Sequence, residues 1–97
     1  MTKAIKILRG FTEGNLSDKD FEQQLYTNSA LEKLLSDSAI NWYGTYLHNT
    51  NAYLYLSEQN YKSYAGRLNA YGAVKLFLTK IGLEVTPSTK YEDEYNL

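Results

Sequence analysis

The spacing of apolar residues between helix-start and helix-stop signals constrains this chain more than any other feature. Ala4, Ile7, Leu8 and Phe11 fall at i, i+3, i+4 and i+7. That pattern lines one stripe of a helix and predicts one over 3–13. Gly14 follows where a left-handed residue closes a helix, and Asn15 prolongs the turn. Ser17 suits the N-cap of a helix over 18–27, because its hydroxyl can accept from a backbone N–H that has no helical partner. Asp18 and Asp20 then face the positive end of that helix dipole, and Phe21 and Leu25 lie four apart on it. Ser29-Ala30-Leu31-Glu32 reads as a capping box, so a third helix is expected over 30–37 with Leu31, Leu34 and Leu35 inward. Near the other end, Tyr71, Val74, Leu78 and Ile81 repeat at helical spacing over 68–81, and Phe77 broadens the stripe. Gly82 ends this helix, with Leu83 supplying the apolar contact that follows such a cap. Gly72 costs a helix about 1 kcal/mol relative to alanine, which predicts a backbone or ring packed against it.

Residues 38–66 are less periodic. Ile40, Trp42, Tyr43, Tyr46 and Leu47 suit a helix over 41–48, and Asn49-Thr50-Asn51 is a break or a cap. Tyr53-Leu54-Tyr55-Leu56 is a short apolar run of the kind that strand and helix share. Ser57-Glu58-Gln59 continues without a turn signal, which favours a helix over 52–59. Asn60, Ser63 and Gly66 read as a loop. Pro87 drives Thr86 extended and stops regular structure, leaving an acidic tail over 91–97. The expected fold is all-α: a compact bundle of four to six short helices forming one domain over 1–97. Its core is expected from Ile7, Leu8, Phe11, Phe21, Leu25, Leu31, Leu34, Leu35, Val74, Phe77, Leu78 and Ile81.

Totals narrow the function classes. A chain of 97 residues buries roughly 60–70% of its unfolded surface, enough for one core. Ten Lys and Arg balance eleven Asp and Glu. A sequence-independent nucleic-acid binder would carry a basic excess to meet phosphates. No apolar run approaches the ~20 residues that span a bilayer, and Met1 to Lys6 lack the apolar stretch of a signal peptide. There is no cysteine, so no disulfide and no thiolate ligand or nucleophile. A cytoplasmic location is expected. His48 is the single histidine. An enzyme would have to use it with Ser36, Ser38 or Ser57, yet no serine sits in a Gly-x-Ser-x-Gly turn. With one imidazole, a metal site would rest on carboxylates, and the Asp18–Glu22 cluster is explained by helix capping. The six glycines are scattered singly and build no phosphate loop. The reading is non-enzymatic, with no cofactor and no metal.

Seven of the ten tyrosines fall between Tyr43 and Tyr71, with Trp42 at the edge. A tyrosine has an apolar body, a polar tip and few rotors to freeze, which suits a surface that exchanges water for a partner. Tyr46, Tyr53 and Tyr71 are expected in the core with hydroxyls reaching out. Tyr43, Tyr55, Tyr61 and Tyr64 exceed what a core of this size absorbs and are expected to be exposed together. Base stacking would need lining cations, and only Lys62 and Arg67 stand among them. Glu92, Asp93 and Glu94 form a solvated terminus or a phosphate-like patch for a basic groove.

The run Ile7 to Ser17 followed by Asp20-Phe21 is similar to small helical immunity proteins of bacterial toxin systems, such as contact-dependent growth inhibition and colicin-type nucleases. The later stretch Leu68 to Leu78, ending in Ile81-Gly82-Leu83, resembles them too. The resemblance covers about two-thirds of the chain and implies a non-enzymatic cytoplasmic protein. Such a protein binds one cognate toxin domain, foremost a nuclease, and blocks its active site or substrate access. Contact residues do not carry over by position. Many such proteins are strongly acidic, whereas this chain has net charge -1, so a tyrosine-rich contact with a local acidic patch is expected instead. Trp42, Tyr43, Tyr46, Tyr55, Tyr61 and Tyr64 would anchor it, and Glu92, Asp93 and Glu94 would supply charge. The alternative is a structural or regulatory homodimer of phage or mobile-element origin, in which the aromatic face is self-complementary.

Overall fold

In a computed structural model, residues 3–37, 40 and 51–84 are described, and all regular structure among them is helical. The elements are α1 (Lys3–Thr12), α2 (Asp18–Thr27), α3 (Ser29–Leu35), α4 (Ala52–Ser57) and α5 (Tyr64–Lys80). The helix expected over 41–48 and the tail over 91–97 lie outside the described residues.

The caps show why the elements break where they do. Gly14 sits at φ 82°. The N–H of Asn15 reaches the Gly10 carbonyl at 2.8 Å and that of Gly14 reaches Phe11 at 3.3 Å. These two bonds satisfy carbonyls at the end of α1, and the positive φ is why glycine stands there. Ser17 Oγ accepts from the Asp20 N–H and starts α2. Gly82, at φ 88°, closes α5 in the same manner, with Leu83 N–H on Leu78 and Gly82 N–H on Thr79, both at 3.0 Å.

Three expectations are corrected. The α3 cap is Asn28, one residue before the expected serine: its Oδ1 accepts from Leu31 N–H while its own N–H ends α2 on the Gln24 carbonyl. One residue thus serves two helices, with no loop between them. The helix favoured for the run around Tyr53 forms as α4, capped by Asn51. Gly66 is not in a loop but in the first turn of α5, which Ser63 caps by accepting from the Gly66 N–H at 3.0 Å. A Cβ on Gly66 would collide with the Asn60 backbone, whereas a Cβ on Gly72 would meet nothing within 4 Å. The close approach expected at Gly72 occurs at Gly66.

The helices enclose one core. α1 packs on α2, α3 and α5; α2 packs on α3 and α4; and α4 packs on α3 and α5. Phe11 stacks on Phe21 with centroids 4.1 Å apart and planes 12° off parallel. Such a pair adds roughly 0.5–1.5 kcal/mol beyond its burial. Leu8, Leu25, Leu31, Leu35, Val74, Phe77 and Leu78 are buried as expected. Ile7, Leu34 and Ile81 are only half-buried against the core. Ala4, Ala52, Ala70 and Ala73 are interior, where small residues let helix axes approach, and Leu56 and Tyr71 are buried with them. Thr12 is also buried, its hydroxyl satisfied by the Arg9 carbonyl at 3.2 Å. No helix among the described residues is long and apolar enough to cross a membrane.

Candidate functional site

Only part of the expected tyrosine cluster assembles on the surface. Tyr64, the first residue of α5, is 41% exposed. Tyr55, expected exposed, and Tyr53, expected in the core, are both half-buried, whereas Tyr71 is in the core as expected. Tyr61 is a correction: expected as an exposed anchor, it is only 5% exposed. Its ring lies 6.0 Å from Phe21, and its hydroxyl donates to the Leu56 carbonyl at 2.9 Å. A tyrosine can be this deep because its one polar atom meets a carbonyl at the end of α4, where helical partners run out. Trp42, Tyr43, Tyr46, His48, Glu92, Asp93 and Glu94 lie outside the described residues.

The largest exposed apolar side chains are elsewhere. Tyr26 on α2 is 58% exposed and Leu54 on α4 is 48% exposed. The Tyr26 hydroxyl points to the Ser57 carbonyl at 3.4 Å, so its ring bridges from α2 to the end of α4. Leu54 lies one turn before Ser57 on α4, opposite the buried pair Ala52 and Leu56. Two tyrosine hydroxyls, from Tyr26 and Tyr61, thus meet carbonyls of the last α4 turn.

Charge gathers at the same place. Asp18, Glu22 and Tyr26 recur every four residues, so they share one face of α2. Burial holds the Tyr61 phenol protonated far above the usual tyrosine range, and Glu22, Tyr26, Asp18 and Tyr55 push in the same direction. Arg67 is committed: its Nε lies 3.5 Å from Asp18 Oδ2 and its Nη1 donates to the Tyr61 carbonyl at 3.3 Å. Glu22 and Glu58, the latter the C-cap residue of α4, form no ion pair among the described residues.

Tyr26 was not among the residues expected to make contact, because it stands apart from the dense tyrosine stretch. A signal existed: it follows Leu25 directly and so falls 100° off the Phe21–Leu25 stripe, where an aromatic side chain cannot reach the core. The site offers apolar surface, hydroxyls already donating, and two carboxylates without a cation. That is chemistry for contact with another molecule. No set of three His, Cys, Asp or Glu positioned to hold a metal ion occurs among the described residues. Comparison with known proteins gives no match to a family model, a curated protein or a solved structure.

Proposed function

We propose that this chain is a protein-binding module that neutralises a bacterial toxin domain by covering its active site or its substrate access. The α2–α4 face carries the contact. The observation behind this reading is the joint exposure of Tyr26 and Leu54 on two packed helices. Leaving a tyrosine ring and a leucine in water forgoes roughly 1.5–3 kcal/mol each that burial would return, and exposed apolar groups held together favour a partner. The toxin assignment rests on the resemblance of the Ile7–Phe21 and Leu68–Leu83 stretches to immunity proteins. The all-helical frame is in keeping with it.

The test is affinity capture from the source cell with the intact protein as bait, alongside the Tyr26→Ala/Leu54→Ala variant. The expected result is recovery of a toxin domain whose activity the protein suppresses, with the double variant weakening the complex by more than ~2 kcal/mol. The double variant should keep its fold, because neither residue belongs to the core. Equal affinity of the two baits would remove this face from the interface. A captured domain whose activity is unaffected would refute neutralisation.

A further inference from the structure

We draw no further inference here: the strongest candidate, the Arg9 guanidinium on α1 against the segment that follows α5, whose buried Nε has no hydrogen-bond partner among the described residues while its Nη2 donates to the Glu84 carbonyl at 3.3 Å, is one partly exposed side chain with no second feature that points to a ligand.

Discussion

Substituting alanine at Gly66 and at Gly72 should move stability in opposite directions, although both glycines lie on α5 six residues apart. Alanine gains about 1 kcal/mol over glycine in a helix interior, because glycine loses more backbone freedom on folding. At Gly72 nothing lies within 4 Å of the added methyl and the position is exposed, so the whole gain is realised. At Gly66 the methyl would overlap the Asn60 carbonyl oxygen and approach its carbon to 2.7 Å and its nitrogen to 2.9 Å. The Asn60 backbone is not free to withdraw. Its carbonyl accepts from the Ser63 N–H at 3.1 Å and the Ser63 hydroxyl at 3.0 Å, and the next residue is the buried Tyr61. Overpacking of this kind costs roughly 1–3 kcal/mol, more where backbone must shift. The net expectation for Gly66→Ala is a loss of about 2 kcal/mol, and for Gly72→Ala a gain of about 1 kcal/mol. Urea unfolding followed by circular dichroism at 222 nm measures both. An unchanged slope with a shifted midpoint shows a change in stability at the same surface exposed on unfolding. Gly66→Ala as stable as the parent would refute the close approach of α5 to the 58–63 loop. A destabilised Gly72→Ala would refute the open surface there.

Three further outcomes follow from the same contacts. Asn28→Ala removes the cap of α3 and the amide bond to Gln24 Oε1, so it should cost about 1–2 kcal/mol, more than Ser17→Ala in the same denaturation assay. Tyr61→Phe removes the 2.9 Å bond to the Leu56 carbonyl and should cost about 1 kcal/mol at neutral pH. The Tyr61 phenol is also raised above its unfolded value of 10.0, so its contribution is complete below pH ~10 and falls as pH rises beyond that. The Tyr61→Phe variant should therefore lose less stability between pH 10 and pH 11 than the parent; parallel curves in that window would refute the assignment.

The helices were legible from local rules because their determinants are local. Apolar spacing around Leu8 and Phe11, the Ser17 hydroxyl, and the glycines at 14 and 82 each act within four residues. The strand alternative for Tyr53 to Leu56 survived sequence reading because four apolar residues have no resolvable period, and Asn51 decided it through a cap three residues away. The candidate site was only partly legible. Tyr64 is exposed as expected, Tyr55 is half-buried rather than exposed, Tyr61 is interior, and Tyr26 was missed. In each of the last two cases the deciding partner is remote in sequence. Phe21 and the α4 terminus bury Tyr61, and α4 leaves the Tyr26 ring uncovered while meeting its hydroxyl.

The sequence by itself determined a helical frame, the start of α2, the closing of α1 and α5 at Gly14 and Gly82, and the identity of most of the core. Periodicity and capping are properties of a single helix and need no neighbour. Only the tertiary structure decided which glycine admits a close approach, which tyrosines are interior, and which carboxylates remain without a cation. Those outcomes depend on how α2, α4 and α5 meet, and burial is a property of the assembled surface rather than of any residue in it.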